Sequence, residues 1–206
     1  MSRVKICGLS RMEDIDAANG ALPDYVGFVF APSRRQVDEK TAAMLKDRLN
    51  VKIKSVGVFV NQDAGSVSYL YKNGIIDLAQ LHGDEDGQYI ERLKESCGCP
   101  VIRSIGIGGT LPHLPYLSDY LMFDTLSNQR GGVGKTFDWK LIKDFKIKPY
   151  FLAGGLTVQN VTNAIEYLNP FCVDVSSGVE TDEVKDPVKI LEFVRRVRES
   201  TACCLS

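Results

Sequence analysis

Short apolar segments alternate with segments of helical periodicity along the whole chain, and this alternation limits the fold more than any other feature. The predicted strands are Arg3–Cys7, Asp24–Phe30, Lys54–Val60, Asp77–Leu81, Pro100–Ser104, Tyr120–Asp124, Tyr150–Ala153 and Phe171–Val175. The predicted helices are Arg11–Asn19, Asp38–Leu49, Ala64–Asn73, Glu85–Glu95, Leu111–Leu117, Asp138–Phe145, Val158–Leu168 and Pro187–Glu199. Strands that alternate with helices pair in parallel through right-handed crossovers, which indicates an α/β fold.

Eight such units within 206 residues favour a closed (β/α)8 TIM barrel over an open doubly wound sheet. A dinucleotide-binding sheet would carry a G-x-G-x-x-G turn after its first strand, but residues 7–10 read Cys-Gly-Leu-Ser. The glycine-rich residues 106–109 follow the predicted fifth strand, and we interpret them as a flexible loop. We therefore predict one barrel domain over residues 1–200 and a short tail over residues 201–206.

Charge and apolar run length exclude several classes of function. A formal net charge of −1 provides no broad basic surface for nucleic acid or anionic lipid. The densest apolar run, residues 25–31, is far shorter than the ~20 residues that cross a bilayer, and the N-terminus lacks the apolar core of a signal peptide. We therefore predict a cytoplasmic protein that binds neither nucleic acid nor membrane.

The six cysteines are interpreted as reduced thiols, because nothing in the sequence indicates secretion. Cys97 and Cys99 are too close together for the usual zinc knuckle, and no second pair with histidine lies nearby, so no metal site is predicted. Cys203 and Cys204 fall in the predicted tail. Cys7 differs from these because it ends the first strand.

Barrels of this type carry their active sites at the C-terminal ends of the strands. Side chains alternate along a strand, so Lys5 and Cys7 share one face, and the apolar Ile6 is expected to face the helices. Lys5 and Cys7 should then face the barrel interior, where the cation favours the Cys7 thiolate. Asp124 ends the sixth strand, three steps round the ring, so it can face Cys7 as a general acid opposite a general base.

The remaining candidates also lie at strand ends. Arg35 is suited to bidentate pairing with a substrate carboxylate, and a mobile lid is predicted over residues 131–134. The loops after strands 7 and 8 are predicted to bind phosphate through backbone N–H groups. Their candidate residues are Gly154, Gly155, Ser176, Ser177 and Gly178. Further candidates for substrate binding at strand ends are Lys5, His82 and Asp174.

Plain structural interpretations of three candidates stay open. Cys7 is equally consistent with a small buried apolar residue. Arg35 is equally consistent with a solvated loop cation, and His82 with a structural hydrogen-bonding residue.

Taken in order, these motifs closely resemble the phosphoribosylanthranilate isomerase family of tryptophan biosynthesis, from residue 4 to about residue 198. The matching stretches are residues 5–8, 27–30, 33–37, 56–61, 80–83, 123–125, 131–134, 137–139, 152–156 and 173–180. Two positions depart from the family pattern. Val133 replaces the usual Thr, and Arg34 replaces a common Pro, so Arg34 and Arg35 could exchange roles.

The resemblance implies an Amadori rearrangement of N-(5-phosphoribosyl)anthranilate to 1-(2-carboxyphenylamino)-1-deoxyribulose 5-phosphate, with no metal or organic cofactor. It implies that Asp124 is the general acid in furanose ring opening and that Cys7 is the general base that takes the C2 proton. It further implies that Arg35 holds the anthranilate carboxylate and that the loops after strands 7 and 8 hold the phosphate. Lys5 is our candidate for activating the Cys7 thiol, a role inferred from strand alternation.

Two other functions remain open from the sequence. The related phosphoribosyl sugar isomerase of histidine biosynthesis catalyses the same rearrangement on a bisphosphorylated substrate, but it uses an Asp at the end of strand 1. A non-catalytic barrel that binds phosphorylated ligands is disfavoured by the presence of Cys7, Asp124 and Arg35 together. A phosphorylated small molecule is the predicted partner, and the sequence allows either a monomer or a homodimer.

Overall fold

The computed structural model describes residues 2–108, 117–126, 136–145 and 149–203. The eight barrel strands are β1 (Arg3–Cys7), β2 (Tyr25–Val29), β3 (Lys54–Phe59), β4 (Leu78–Leu81), β5 (Val101–Ile107), β6 (Tyr120–Thr125), β7 (Tyr150–Leu152) and β8 (Cys172–Val175). They are parallel and close in chain order, because β1 pairs with both β2 and β8. The predicted TIM barrel is confirmed.

The helices pack outside the barrel and are α1 (Met12–Ala21), α2 (Glu39–Arg48), α3 (Ala64–Lys72), α4 (Gly87–Cys97), α5 (Val161–Leu168) and α6 (Pro187–Cys203). A small antiparallel hairpin, β9 (Glu180–Thr181) and β10 (Val184–Lys185), follows β8. Two predicted helix starts are confirmed. The Asp38 carboxylate accepts the Thr41 N–H at 2.8 Å at the start of α2, and Pro187 is the first residue of α6.

Two predicted helices differ from the structure. Within the predicted helix 138–145 there is a 3-10 turn at Trp139–Ile142, where Asp138 accepts the Lys140 N–H at 3.0 Å. A carboxylate bonded to the second following N–H closes a tight turn rather than capping an α-helix. The predicted helix 158–168 also begins later than expected. The Asn160 side chain accepts the Thr157 N–H at 2.8 Å, and α5 begins only at Val161.

The predicted glycine-rich loop, fifth helix, lid and C-terminal tail lie at or beyond the ends of the described ranges. Strand β5 continues to Ile107, so Gly106 pairs with Asp124 of β6 and is not part of the predicted flexible loop. The predicted helix 111–117, apart from its last residue, and the predicted lid at residues 131–134 lie outside the described residues. Helix α6 runs to Cys203, three residues into the predicted tail.

The core has two layers that explain where a site can form. The outer layer packs strands against helices and contains Ile6, Phe28 and Phe123. The inner layer fills the barrel with a second cluster, in which Tyr25 and Phe151 lie with their ring centroids 5.6 Å apart. This packing occupies part of the barrel interior with apolar side chains.

The structure also bears on the expectations about membrane-spanning helices and cysteine thiols. None of its helices has the length and apolar character needed to cross a membrane. Cys7, Cys97, Cys99 and Cys172 are free thiols, as predicted. The side chains of residues 203 and 204 lie outside the described set.

Candidate active site

A cavity of about 260 Å³ lies at the C-terminal ends of the barrel strands. Its charged and polar lining includes Cys7, Arg35, Gln80, His82, Asp124, Asp174 and Ser176. Six of the predicted site residues are therefore brought together at one place. A larger surface hollow of about 640 Å³ lies beside Trp139 and Tyr167, but no predicted site residue lines it.

Lys5 and Asp174 form a buried ion pair across the junction of β1 and β8. The Lys5 Nζ lies 2.9 Å from Asp174 Oδ1, and the two side chains are 0% and 9% exposed. Ile6 faces the outer core, so the predicted alternation along β1 is confirmed. Burial lowers the pKa of Lys5, but Asp174 and Cys7 together outweigh burial and raise it, so the ammonium stays charged.

Cys7 is buried at the end of β1, next to this ion pair. Burial raises the pKa of its thiol, because the thiolate loses hydration. The Lys5 charge lowers the Cys7 pKa, as expected from the sequence, and the Asp174 charge raises it. The net shift is upward. The Lys5 cation therefore acts on Cys7 in the predicted direction but does not outweigh burial.

Asp124 stands at the end of β6 on the cavity wall. Its Oδ1 accepts the Thr125 N–H at 2.7 Å, and its Oδ2 lies 3.7 Å from His82 Nε2. Burial raises the pKa of Asp124 to about 6, even though the Thr125 bond favours the carboxylate. A carboxyl group with this pKa is protonated in a useful fraction of molecules near neutral pH, as a general acid requires.

His82 is held by the amide of Gln80, whose Nε2 lies 3.2 Å from His82 Nδ1. An amide donor at Nδ1 favours the neutral tautomer that carries its proton on Nε2, the nitrogen nearer to Asp124. Gln80 is itself buried, and its Oε1 has no hydrogen-bond partner within the described ranges. Both residues therefore present polar atoms at the wall that carries Asp124.

Arg35 lines the cavity, whereas Arg34 does not. The Arg35 Nε and Nη2 donate to the two carboxylate oxygens of Glu180 at 2.8 and 2.9 Å. Arg34 binds the same carboxylate at 2.6 Å and is more exposed. The stem of Arg35 crosses Gly8, which has a φ of +79°, and a Cβ at Gly8 would lie 2.5 Å from Arg35 Cδ. Of the two arginines, Arg35 therefore has the position from which a ligand can be reached.

Glu180 and Lys185 do not line the cavity but bond to Arg35 and Ser176, which do. The sequence did not single them out as site residues. Lys185 is buried and donates to Glu180 Oε1 at 2.7 Å and to the Ser176 carbonyl at 2.8 Å. Burial would raise the pKa of Glu180, but its bonds from Arg35 and Lys185 outweigh burial and lower it to about 2. Glu180 stood in the strand-8 motif, so the sequence contained a signal for it. Lys185 lies beyond that motif, and no sequence signal indicated it.

The predicted phosphate loops lie next to each other, after β7 and β8. Gly178 lies against the carbonyl of Leu156, which brings the two loops into contact. Ser176 lines the cavity, and its hydroxyl donates to the Cys7 carbonyl at 3.0 Å. Ser177 begins a 3-10 turn, and Gly154 and Gly155 both have positive φ. Phosphate binding by these loops stays a prediction.

Comparison with known proteins decides the family. Residues 4–196 match the family model described as N-(5'phosphoribosyl)anthranilate (PRA) isomerase. The chain belongs to the phosphoribosylanthranilate isomerase family. The isomerase of Endomicrobium trichonymphae is 47% identical over 96% of this chain and 99% of that protein. The family resemblance and the enzyme class predicted from the motifs are confirmed.

Solved phosphoribosylanthranilate isomerases share the fold along nearly the full length. The isomerase of Thermotoga maritima superposes with a TM-score of 0.84 at 32% identity, covering 97% of this chain and 100% of that one. An isomerase in complex with reduced 1-(o-carboxyphenylamino)-1-deoxyribulose 5-phosphate superposes with a TM-score of 0.81 at 30% identity, over 97% and 100% of the two chains. Membership of this family favours the isomerase of tryptophan biosynthesis over the related sugar isomerase of histidine biosynthesis.

Proposed function

We propose that this barrel rearranges N-(5-phosphoribosyl)anthranilate to 1-(2-carboxyphenylamino)-1-deoxyribulose 5-phosphate with Asp124 as general acid and Cys7 as general base. The observation that supports these roles most strongly is their position on one cavity, where burial raises the Asp124 pKa to about 6. The substrate is a phosphorylated small molecule. We further propose that the barrel domain spans residues 1–200 and works in the cytoplasm.

Asp124 and Cys7 each transfer one proton in the proposed chemistry. Asp124 protonates the furanose ring oxygen while the bond from C1 to that oxygen breaks, which leaves an iminium group between C1 and the anthranilate nitrogen. The Cys7 thiolate then removes the C2 proton, and the C–H electrons form the C1–C2 double bond as the iminium becomes an amine. The resulting enol becomes the C2 ketone when C1 gains a proton and the C2 hydroxyl loses one, so the product is an isomer of the substrate.

The other cavity residues bind the substrate in this proposal. Arg35 holds the anthranilate carboxylate, and the loops at residues 154–155 and 176–178 hold the phosphate. Lys5, paired with Asp174, is the cation that lowers the Cys7 pKa most, while His82 faces Asp124. The iminium makes the adjacent C–H bond acidic, so a thiolate present in a small fraction of molecules is sufficient.

The first experiment measures turnover of phosphoribosylanthranilate through the loss of its fluorescence. Removal of a general base typically slows a reaction by about 10²- to 10⁴-fold, so we expect a loss of at least this size for Cys7→Ala. The far-ultraviolet circular dichroism should not change, because the fold does not depend on the Cys7 thiol. Cys97→Ala, on α4 and outside the cavity, is the matched control and should retain full turnover.

Two results would count against the proposal. Wild-type protein that does not turn over phosphoribosylanthranilate would contradict the reaction. A Cys7→Ala variant as active as Cys97→Ala would contradict the assignment of the base alone.

A further inference from the structure

Glu180 is a buried carboxylate that binds several cations at the edge of the cavity but has no role in the proton transfers. Its side chain is 5% exposed and forms ion pairs with Arg34, Arg35 and Lys185. We propose that Glu180 is a positioning residue that holds the Arg35 guanidinium in the orientation needed to bind the carboxylate of the substrate. This inference rests on the proposed function, since it concerns how that substrate is recognised.

The geometry of the guanidinium allows two carboxylates at once. A guanidinium carries five N–H donors in one plane, arranged along two edges that each fit a carboxylate. Glu180 occupies the edge formed by Nε and Nη2 of Arg35, at 2.8 and 2.9 Å. The other edge, formed by Nη1 and the second N–H of Nη2, can donate to a second carboxylate in the same plane. Glu180 therefore does not have to leave when the substrate binds.

Glu180 is itself fixed from two other directions, so it can serve as an anchor. Lys185 joins Glu180 Oε1 to the Ser176 carbonyl, which ties the carboxylate to the end of β8. Arg34 donates to Oε2 at 2.6 Å from the solvent side. A carboxylate held at both oxygens cannot rotate freely with Arg35, so the direction of the Arg35 plane is determined by the protein.

The charge of the cluster also fits an anionic group. Arg34, Arg35 and Lys185 bring three positive charges, while Glu180 and the exposed Glu183, which pairs with Arg34 at 3.1 Å, bring two negative charges. The cluster therefore has an excess of one positive charge, and Arg35 is its member that lines the cavity. A preoriented and partly desolvated cation binds a planar carboxylate more tightly than a freely rotating one, because less conformational entropy is lost.

The experiment compares two substrates that differ only in the carboxylate. One is N-(5-phosphoribosyl)anthranilate, and the other is the same glycosylamine made from aniline. For Glu180→Gln we expect the preference in kcat/KM for the anthranilate substrate to fall by about tenfold or more, the effect of losing a charge-assisted hydrogen-bond pair. The loss should appear mainly in KM for anthranilate, with KM for the aniline substrate unchanged.

Glu183→Gln is the matched control, because it removes an exposed carboxylate from Arg34 and should leave the substrate preference unchanged. Glu180→Asp retains the charge but is one methylene shorter, so it cannot keep both bonds to Arg35. We expect it to lose the preference as Glu180→Gln does. It also keeps the test usable if the uncharged variant folds poorly, which circular dichroism would reveal.

Several results would overturn the positioning role. One is an equal loss of kcat/KM for both substrates. This would mean that Glu180 acts through Lys185 and Cys7 and not through Arg35. Another is a full preference retained by Glu180→Asp, which would mean that charge alone matters. A wild-type enzyme without activity on either substrate would contradict the proposed function itself, so the two failures are distinguishable.

Discussion

The Asp124 carboxyl lies in a place where its charge is poorly hydrated. Its side chain is 18% exposed at the end of β6, and burial raises its pKa from 3.8 to about 6. A catalytic acid needs this shift, but the same shift reduces the stability of the fold. Between these two pH values the folded protein holds a proton that the unfolded chain has already released.

The sign of the resulting pH dependence can be stated. Stability falls as the pH rises from about 4 to about 6, and above pH 6 the full cost of roughly 3 kcal/mol is present. We expect Asp124→Asn to remove this cost, because Asn does not ionise and its carbonyl can still accept the Thr125 N–H. Urea unfolding should show a gain of up to about 3 kcal/mol near pH 8 and none below about pH 4.

The same variant should lose most of its turnover, since the general acid is gone. Asp47→Asn on the exposed face of α2 is the control, and we expect it to change neither stability nor activity. A gain in stability that is equal at all pH values, or a loss near pH 8, would show that Asp124 does not carry the pKa shift.

At the scale of elements, the apolar pattern predicted all eight strands, whereas strand pairing and side-chain bonds determined where several elements begin or end. Strand β5 is longer than predicted because Gly106 pairs with Asp124, a contact with a different strand that local sequence does not reveal. Helix α5 starts late because the Asn160 side chain closes a turn by accepting the Thr157 N–H. Such ends depend on single hydrogen bonds, which periodicity does not encode.

The candidate site was predictable where strand alternation governs it. Lys5, Cys7 and Asp174 follow from position on a strand and the in–out alternation of side chains. Lys185 could not be found in this way, because only the β9–β10 hairpin brings it to Ser176 at the end of β8. The pairing of Arg35 with Glu180 spans 145 positions of sequence separation and appears only after the barrel has closed.

The loop after β7 supports the Asp124 end of β6 through a close backbone approach. Gly154 has a φ of +85°, and a Cβ there would lie 2.5 Å from Thr125 Oγ1 and 3.1 Å from Asp124 Oδ1. Gly98 at the end of α4 has a φ of +68° but no atom within 4 Å of such a Cβ. The two glycines therefore share a backbone conformation and differ in what surrounds them.

We expect Gly98→Ala to destabilise the protein by about 1 kcal/mol, the cost of a left-handed conformation for alanine. Gly154→Ala should cost a further 1–3 kcal/mol or so, because it also overpacks the contact with Thr125. It should in addition lower kcat, since it displaces the backbone N–H that binds Asp124. Urea unfolding and turnover of both variants test this. Equal effects of the two substitutions on stability and kcat would contradict it.

At the scale of the whole molecule, the active site exists only because β8 returns to β1. The register pairs Lys5 with Asp174 across this junction, next to Cys7. The ion pair is almost completely buried, and a buried pair contributes little net stability compared with apolar residues. Substitution of only one partner has a larger effect on stability, because the remaining charge is then buried with neither water nor an opposite charge beside it.

We therefore expect Lys5→Met to destabilise the barrel by about 3–5 kcal/mol, since Asp174 remains buried without its cation. Asp174→Leu should have a similar effect, and the double variant should be closer to wild type than either single one, a coupling that urea unfolding measures as a double-mutant cycle. Arg48→Met, which breaks the exposed pair with Asp16, is the control and should have little effect on stability.

The same variants test how the closed barrel affects the catalytic thiol. Loss of the Lys5 cation should raise the Cys7 pKa further, whereas loss of the Asp174 carboxylate should lower it, because the negative charge that opposes the thiolate is then gone. Thiol titration of the folded variants measures both shifts, with Cys97→Ala and Cys99→Ala backgrounds used to assign the signal. If Lys5→Met left the Cys7 pKa and the pH–rate profile unchanged, the ion pair would only join β1 to β8 and would not influence the base.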